Sequence, residues 1–363
     1  MDDLTYDVII SLVGGQVAPI VIPYYQFKCK KGILISTDTT YEDANRIGDY
    51  IKKRFNVSME IIRIEPYSFS KIRSSLNNLR DYNRALVNIT PGTKPMSIQL
   101  FQWARKKKAD TIYISTEEWK IIFIKENDET EMKIDAKIGV EEYLCLHGFK
   151  VLKSEKRNVI QPFYSAVSNG EIIYNSFRFQ IESVPSLQRR LEELFSENEL
   201  KPLPSGKLGV SIRIDSTELF KLNELTGGGY WLENFVYNQL LKTEHFDDVR
   251  KQIVLEKDGH KNEMDVIIMK NFTAGVISCK VKRKVSKSKI SPFNQDLYEL
   301  KDRGDFLGKY TRMFLITTYP LTNNFKRKAL LRGIKAYGIK ELRNFDMIIK
   351  DIISSMEEKI PST

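Results

Sequence analysis

Cysteine is scarce in this 363-residue chain, and Cys29, Cys145 and Cys279 stand alone, with no paired spacing. That pattern argues against both a disulfide framework and a zinc site, so we expect a reducing, cytoplasmic location. The acidic start, Met-Asp-Asp, lacks a basic segment followed by an apolar run, so no signal peptide is visible. No apolar stretch approaches the roughly 20 residues that a membrane-spanning helix requires. We therefore expect no membrane partner.

Basic residues outnumber acidic ones, 57 Lys and Arg against 47 Asp and Glu, which gives a formal net charge of +10. Such an excess attracts polyanions over long range, although it says nothing about the fold. Hydrophobic residues make up 42% of the chain and charged residues 29%, which is ordinary for a globular protein with a real core. At about 150 residues per domain, the length is enough for two or three domains.

The N-terminal third alternates short β-type runs with helical patterns. Predicted strands cover 6–13, 32–36, 59–64, 85–89 and 111–115, and predicted helices cover 19–28, 40–55, 69–79 and the segment up to residue 107. Strands that alternate with helices at this spacing imply α/β architecture with a doubly wound, Rossmann-like parallel sheet. A polar tip at 126–130, between residues 119–124 and 131–135, predicts an exposed hairpin after that sheet.

Three turns at the carboxyl ends of these strands are rich in glycine, hydroxyl and amide groups. Ligands of doubly wound sheets bind beyond those strand ends, where helix N-termini offer backbone N–H groups to a phosphate. The turns contain neither GxGxxG nor GxxxxGK[ST], so ordinary dinucleotide or P-loop binding is not expected. Tight turns and helix caps alone would explain the same residues equally well. The candidate ligand residues are Gly14, Gly15, Gln16, Ser36, Thr37, Thr39, Asn88, Thr90, Pro91, Gly92, Thr93 and Lys94.

A β-hairpin is predicted in the C-terminal half, where apolar runs at 262–270 and 276–280 flank a turn at 271–275. Asp265 lies near the start of the first strand, and Lys280 ends the second. Residues far apart in sequence lie side by side across an antiparallel pair. The hairpin can therefore bring this carboxylate and this ammonium group together.

Two further carboxylates accompany that pair. Glu263 lies two residues before Asp265 and so on the same strand face, and Glu233 lies on a predicted helix that follows the glycines at 227–229. Carboxylate oxygens bind the divalent cations that activate water for phosphodiester cleavage, and Lys280 would orient that water or stabilise the developing charge. An Asp–Lys pair on a hairpin is, without further context, more often a simple exposed salt bridge.

The context is a resemblance to the PD-(D/E)XK nuclease core. Gly-Gly-Tyr-Trp-Leu-Glu at 228–233, Asn-Glu-Met-Asp at 262–265 and Ile-Ser-Cys-Lys at 277–280 resemble the effector nucleases of type III CRISPR systems that join such a core to a CARF sensor domain. The resemblance implies catalytic roles for Asp265, Lys280, Glu263 and Ser278, and Mn²⁺ or Mg²⁺ held by Glu233, Asp265 and Glu263. Ser278 stands where those nucleases usually carry a glutamate, so either metal affinity falls or Glu263 substitutes.

The segment Asn-Ile-Thr-Pro-Gly-Thr-Lys-Pro-Met at 88–96 resembles the Thr-Gly-Gly-Thr-Lys-x-Met loop of CARF domains, with Pro91 in place of the first glycine. With the turn at 14–16, it implies a site for cyclic tetra-adenylate, formed across a homodimer whose two-fold symmetry matches that of the ligand. In that site Lys94 would meet phosphate, Thr90 and Thr93 would bond ribose or base edges, and Met96 would complete the loop.

The resemblance divides the chain into a CARF domain at 1–136, a connecting region at 137–207 and a nuclease-like α/β domain at 208–363. Late in the last domain we expect a strand at 312–317, an amphipathic basic helix at 324–337 and a short final strand at 339–342. These elements would complete the sheet that carries the hairpin.

A basic run follows the hairpin, with six Lys or Arg and no acid between residues 280 and 289. Its position after Lys280 suits a grip on a phosphate backbone, a mode that is independent of base sequence. A merely solvated segment is the alternative. The candidate nucleic-acid contacts are Lys282, Arg283, Lys284 and Lys287. Phe293 and Tyr298 could stack on bases, but we expect both in the core.

We expect a cytoplasmic, homodimeric antiviral nuclease that cyclic tetra-adenylate activates and that needs a divalent cation. It would cut single-stranded RNA or DNA, or nick plasmid DNA. The alternative, which the serine at 278 raises, is a catalytically degenerate protein that binds nucleic acid or the cyclic oligoadenylate. A transcription regulator is weaker, because we find no helix-turn-helix pattern in the C-terminal part.

Overall fold

A computed structural model describes residues 5–125, 128–155, 176–181, 200–202, 208–213, 230–280, 293–308, 310–317, 320–342 and 344–358. Contacts within the chain divide it into two compact units. The first comprises Met1–Lys137 with Cys145–Gly148, and the second comprises Ile138–Leu144 with Phe149–Glu358.

The first unit is built around a seven-stranded sheet with five parallel strands and an antiparallel hairpin at one edge. Its strands are β1 (Thr5–Leu12), β2 (Lys28–Ser36), β3 (Ser58–Arg63), β4 (Ala85–Asn88), β5 (Asp110–Ser115), β6 (Lys120–Ile124) and β7 (Glu129–Lys133). Its helices are α1 (Ala18–Gln26), α2 (Tyr41–Phe55), α3 (Phe69–Asn77) and α4 (Lys94–Lys106), with a 3₁₀ turn at Asp38–Thr40. In space the strands follow the order β3-β2-β1-β4-β5-β6-β7.

The predicted parallel sheet is confirmed. Strand β1 lies at its centre and is apolar and buried almost throughout, which is the pattern of a strand covered by helices on both faces. The expected hairpin is β6–β7, although its second strand begins at Glu129 rather than at 131. Residues 126 and 127 of its tip lie outside the described part of the chain.

The strand order reverses between β1 and β4, because the chain first adds β2 and β3 on one side and then β4 and β5 on the other. Such a switch point opens a crevice beyond the carboxyl ends of the two strands, where doubly wound folds bind their ligands. The loops that follow β1 and β4 are the ones that carry most of the candidate ligand residues.

The second unit contains a six-stranded mixed sheet in the order β16-β15-β14-β13-β12-β8. Its strands are β8 (Lys150–Glu155), β12 (Asp248–Lys257), β13 (His260–Lys270), β14 (Thr273–Lys280), β15 (Arg312–Thr317) and β16 (Ile334–Tyr337). Its helices within the described stretches are α5 (Val140–Leu146), α6 (Tyr230–Lys242), α7 (Phe293–Leu307), α8 (Asn323–Leu330), α9 (Ile339–Leu342) and α10 (Phe345–Glu357). A separate antiparallel sheet joins β9 (Ser176–Ile181), β10 (Leu200–Pro202) and β11 (Leu208–Arg213).

The predicted hairpin is β13–β14, with a tighter turn than expected. Strand β14 begins at Thr273, directly after Asn271 and Phe272, whose φ angles are 49° and 58°. Two successive left-handed residues are the mark of a two-residue hairpin turn that matches the twist of its strands. Gly275 is a strand residue, and a Cβ there would lie 2.7 Å from Ile268.

Two expectations near the C-terminus are wrong. The predicted helix at 324–337 ends at Leu330, because Gly333 takes a φ of 71° and Ile334–Tyr337 pair with β15 as strand β16. The predicted strand at 339–342 is helix α9, in which the carboxylate of Glu341 accepts a hydrogen bond from the N–H of Gly338. The expected inner strand at 312–317 is confirmed as β15.

The segment expected to connect the two domains contributes to the second unit. Strand β8 pairs with β12 in the larger sheet, and β10 pairs with β11 in the smaller one. The boundaries at 136 and 207 stay predictions. Among the helices of the described stretches, none is both long and apolar enough to cross a lipid bilayer.

Candidate functional site

The β13–β14 hairpin and the first turn of α6 carry the candidate catalytic groups of the second unit. Within β13–β14, Val266 pairs with Ile277, so Asp265 and Ser278 follow as the next opposed positions. Helix α6 begins at Tyr230 and places Glu233 in its first turn. The sequence therefore brings a strand carboxylate and a helix carboxylate toward one end of the hairpin.

Asp265 is held by three groups. Its Oδ2 accepts hydrogen bonds from the backbone N–H of Cys279 at 2.7 Å and from the hydroxyl of Ser278 at 3.1 Å. Its Oδ1 lies 3.9 Å from the guanidinium of Arg303 in α7. The side chain is only 12% exposed, so these contacts fix its orientation. Ser278 is buried, and its hydroxyl is directed at this carboxylate.

Glu233 is a half-buried carboxyl whose pKa is raised to about 8. Burial is the largest cause, because it disfavours the charged form, and the negative charges of Asp265 and Glu263 act in the same direction. A hydrogen bond from the Gln252 side chain and the positive charge of Lys280 act in the opposite direction. These five side chains therefore share one electrostatic environment at the end of the hairpin and the start of the helix.

Lys280 ends β14 and is anchored through its backbone. Its carbonyl accepts a hydrogen bond from the hydroxyl of Thr317 at 2.7 Å, in the register that pairs β14 with β15. Glu263 is exposed on β13. Burial and the charges of Asp265 and Glu233 raise the pKa of the Cys279 thiol well above its usual value, so this buried cysteine stays protonated.

The carboxylates of this site are suitable ligands for a hard divalent cation. Glu233 and Asp265 supply carboxylate oxygens, and a cation near them would favour the charged form of Glu233, whose pKa is raised by burial and by the neighbouring carboxylates. Across the described residues, no three His, Cys, Asp or Glu side chains already form a metal-binding group. A third protein ligand from Glu263 therefore stays a prediction.

In the first unit, the loops after β1 and β4 touch at the switch point. A Cβ on Gly14 would lie 2.7 Å from the backbone nitrogen of Gly92, and a Cβ on Gly92 would lie 2.9 Å from Leu12. Gly92 also has a φ of 86°, a conformation that L side chains rarely adopt. Glycine at 14 therefore lets the two loop backbones approach closely, and glycine at 92 suits both its φ angle and the nearby Leu12 side chain.

Several candidate ligand residues support the loops from inside. Asn88 is fully buried, and its amide donates to Ser11 Oγ at 3.2 Å and to the carbonyl of Pro19 at 2.8 Å. Ser36 and Met96 are equally buried. A direct ligand contact by these three residues stays a prediction.

Hydroxyl groups fasten the same loops to their surroundings. Thr90 Oγ1 accepts from the N–H of Ile114 at 2.7 Å, and Thr93 Oγ1 donates to the carbonyl of Pro66 at 2.6 Å. The hydroxyls of Thr37 and Thr39 bond each other at 2.8 Å. Side-chain hydrogen bonds therefore hold the loops in place.

Other candidate ligand residues are open to solvent, namely Gly15, Gln16, Thr39, Gly92 and Lys94. Gly14, Thr90 and Thr93 are half-buried, while Thr37 and Pro91 are buried. Beside the loops lies a cavity of about 500 Å³ whose lining includes Pro66, Asp38, Arg63 and Lys71. Arg63 forms an ion pair with Asp38 at 3.3 Å. The sequence reasoning did not single out the two basic residues of this cavity, since neither lies on a candidate loop.

The second unit also contains functional candidates that the sequence reasoning missed. Arg303 lies in α7, far along the chain from Asp265, and Gln252 lies in β12 within an ordinary alternating pattern; no sequence signal distinguishes either one. Lys282, Arg283, Lys284 and Lys287 lie outside the described residues. Tyr298 is 55% exposed, so its expected place in the core is wrong, and the Arg332 guanidinium stacks over its ring at 4.9 Å.

Comparison with known proteins assigns both units. Residues 8–143 match the Card1 CARF domain, and residues 221–356 match the Card1-like endonuclease domain. Curated protein sequences give no match.

Solved structures give the same architecture at low identity. Can2 from Sulfobacillus thermosulfidooxidans, in complex with cyclic tetra-adenylate, is 20% identical, with a TM-score of 0.68 over 97% of this chain and 98% of that one. Protein VC1899 from Vibrio cholerae is 16% identical, with a TM-score of 0.70 over 98% and 100%. A type III CRISPR defence DNA nuclease activated by cyclic oligoadenylate is 16% identical, with a TM-score of 0.52 over 87% of this chain and 47% of that one. At these identities the likeness shows the fold alone, whereas the two domain matches cover most of the chain. The chain therefore belongs to the Card1-like proteins, which join a CARF domain to an endonuclease domain.

Proposed function

We propose that this protein is a homodimeric nuclease of type III CRISPR defence, activated by cyclic tetra-adenylate and dependent on Mn²⁺ or Mg²⁺. The observation that carries the proposal is the shared environment of Glu233, Asp265 and Lys280 in the endonuclease domain of a chain that also has a CARF domain. Its substrates are single-stranded RNA or DNA, or plasmid DNA that it nicks in the cytoplasm.

In the endonuclease domain, Glu233 and Asp265 hold the cation, with Glu263 as a further ligand. When bound, the cation lowers the pKa of a water molecule and stabilises charge on the phosphate. Ser278 and the N–H of Cys279 keep the Asp265 carboxylate in one orientation. Lys280 orients the attacking water or stabilises the charge that develops on the phosphate oxygens.

In the CARF domain, the exposed residues around the switch point bind the cyclic ligand, with Lys94 at the phosphate. Three facts support this assignment: the convergence of the loops after β1 and β4, the domain match, and the Can2 fold, which was solved with cyclic tetra-adenylate bound. A ring with two-fold symmetry suits a symmetric pair of chains.

The proposal also includes the domain limits, which are 1–136, 137–207 and 208–363. It further includes contacts between the substrate backbone and four basic residues, Lys282, Arg283, Lys284 and Lys287.

The test is incubation of the protein with labelled single-stranded RNA, labelled single-stranded DNA and supercoiled plasmid, with and without Mn²⁺ and cyclic tetra-adenylate. We expect cleavage of at least one substrate only when cation and ligand are both present. Calorimetry on the same preparation should show one cyclic tetra-adenylate per dimer. Absence of cleavage under every condition, with the ligand bound, would contradict the nuclease proposal and leave the sensor proposal standing.

A catalytically degenerate protein is the second candidate. It is favoured by Ser278, a neutral group at the position of the usual glutamate, and by the lack of a ready three-ligand metal group among the described residues. Such a protein would bind nucleic acid or sequester the cyclic oligoadenylate without cutting. The Ser278→Glu variant separates the two candidates, as set out below.

A further inference from the structure

The cavity of about 500 Å³ in the first unit lies at the carboxyl ends of β2 and β3. Both strands run parallel to β1, so these ends share the sheet edge at which the switch point opens. The volume is typical of a small-molecule pocket. One face of α3 completes the wall with Lys71, Ser74 and Ser75, which are spaced as neighbours on a helix surface.

The cavity borders the candidate ligand loops on two sides. Asp38, one of its lining residues, lies in the loop after β2, which carries two of the candidate ligand residues. Pro66, another lining residue, accepts the hydrogen bond from Thr93 Oγ1 at 2.6 Å. Thr93 is the N-cap of α4 and directly precedes Lys94. A ligand held by these loops therefore lies next to the cavity.

Arg63 is already oriented in the cavity wall. Its guanidinium lies 3.8 Å from the ring centroid of Tyr41 and pairs through Nη1 with Asp38 at 3.3 Å. The side chain is half exposed, and a guanidinium carries five N–H donors, of which this ion pair engages only those on one nitrogen. The remaining donors suit a phosphate group, which arginine can bind with two hydrogen bonds at once.

Lys71 is the second cation of the wall. Within the described stretches, its ammonium group has neither an ion pair nor a hydrogen bond. The two acids of the wall do have partners: Asp38 pairs with Arg63, and Glu65 Oε2 accepts hydrogen bonds from two backbone N–H groups at the start of α3. The formal charges of these four side chains cancel, but only the charge of Lys71 lacks a partner among them. The wall therefore offers one oriented guanidinium and one available ammonium group to an anionic ligand.

Cyclic tetra-adenylate bound across a two-fold axis gives each chain half of the ring, which is two nucleotides with two phosphates. Lys94 accounts for one of these phosphates. We propose that the cavity binds the second nucleotide of each half, with its phosphate at Arg63 and Lys71 and its nucleoside against Pro66 and Ser74. This inference rests on the proposed function. It adds the end of β3 and one face of α3 to the ligand site.

Calorimetry of cyclic tetra-adenylate with the full-length protein tests the assignment. Lys71→Ala and Arg63→Gln each remove a charge-assisted bond to phosphate, so each should bind the ligand about tenfold more weakly than the wild type. Lys71→Arg keeps the charge and should stay within about threefold of the wild type. The matched control, Lys53→Ala, removes another exposed charge, in the last turn of α2, and should bind like the wild type.

Thermal unfolding without ligand separates a binding role from a structural one. Lys71 is exposed and the Arg63–Asp38 pair is largely exposed, so neither variant should unfold at a clearly different temperature from the wild type. Weaker ligand binding with the melting temperature retained supports the inference.

A double variant asks whether Lys71 and Lys94 serve different phosphates. Substitutions at independent contacts are additive in free energy, so the double alanine variant should lose about 100-fold in affinity. If both lysines contacted one phosphate, the double variant would lose little more than either single variant. That result would overturn the assignment of a second nucleotide to the cavity.

Failure of this inference is distinguishable from failure of the proposed function. If the wild type binds cyclic tetra-adenylate, and Lys71→Ala and Arg63→Gln bind it equally well, the cavity assignment is wrong while the proposed function stands. If the wild type gives no binding heat with cyclic tetra-adenylate, the sensor assignment is wrong, and the cavity assignment with it.

Discussion

The hydroxyl of Ser278 donates a hydrogen bond to Oδ2 of Asp265 across 3.1 Å, from the strand position where the resembled nucleases carry a glutamate. The serine is buried, and the same carboxylate oxygen also accepts from the N–H of Cys279. The side chain at 278 is therefore a support for Asp265 in this structure, and the cation would depend on other oxygens.

The Ser278→Glu variant should not be a more active enzyme. A second carboxylate at a buried position beside Asp265 adds repulsion to a site that already keeps Glu233 protonated. We expect a lower melting temperature in EDTA and a change of no more than a few-fold in cleavage rate. Ser278→Ala, which removes one hydrogen bond worth about 1 kcal/mol without adding charge, is the control. Large activation of Ser278→Glu from a silent wild type would instead support the degenerate protein.

The raised pKa of Glu233 makes the stability of the metal-free protein depend on pH. The folded protein holds this proton up to about pH 8, whereas the unfolded chain releases it near the ordinary value of 4.5. The stabilisation is therefore complete below pH 4.5 and is lost as the pH rises to about 8. Over this range the free energy of unfolding of the wild type should decrease relative to that of Glu233→Gln, by at most about 1.4 kcal/mol per pH unit.

Chemical unfolding of both proteins in EDTA at pH 5, 6.5 and 8 measures this difference. Added Mn²⁺ should reduce it at pH 8, because the cation compensates the ionised carboxylate. A difference between the two proteins that does not vary with pH would show that burial and the neighbouring charges leave Glu233 unperturbed.

Arg303 should act as a substitute positive charge when no cation is bound. Its guanidinium lies 3.9 Å from Asp265, and the side chain is 23% exposed. We expect Arg303→Gln to lose up to about 1 kcal/mol of stability in EDTA and to recover most of it in Mn²⁺. The control is Lys301→Gln, which breaks an exposed ion pair with Asp305 on the same helix. Its stability should change by about a few tenths of a kcal/mol in both conditions. Equal losses of stability in EDTA and in Mn²⁺ would show that the effect of Arg303 does not depend on the cation.

Lys94 should contribute to ligand affinity and leave the fold unchanged. It is exposed at the first position of α4, beside the loops that meet at the switch point. A charge-assisted bond to phosphate is worth about 1.5–3 kcal/mol, so Lys94→Ala should weaken cyclic tetra-adenylate binding at least about tenfold by calorimetry. Lys106→Ala removes the same charge at the other end of the helix and should bind like the wild type. Equal ligand affinities of the two variants would show that Lys94 does not bind the phosphate of the ligand.

The sequence was sufficient for the parts of the fold that follow from periodicity. Alternating strands and helices predicted the parallel sheet, and the apolar runs on either side of Asn271 predicted β13–β14. The predicted turn was longer than the observed one, so the register that places Asp265 opposite Ser278 was not predictable from it. Where a glycine interrupts a short apolar segment, as at Gly333, periodicity could not separate a longer helix from a helix followed by a strand.

The rest depends on contacts between segments that are distant in the chain. Arg303 reaches Asp265 from a helix that lies far along the chain, and Gln252 takes a left-handed backbone inside β12. Neither backbone strain nor a contact of this kind has a signature in a single sequence. The same holds for the hydrogen bonds from the Asn88 amide to Ser11 and Pro19, which the sequence did not predict.

The most direct test of the account is the single-turnover cleavage rate of Asp265→Asn and Lys280→Met, measured with cyclic tetra-adenylate and saturating Mn²⁺ on the substrate that the wild type cuts. Asp305→Asn, at an exposed position of α7, is the matched control. The account predicts a loss of about 100-fold or more in both site variants, with ligand affinity intact and the control at the wild-type rate. Wild-type rates in Asp265→Asn and Lys280→Met would contradict it.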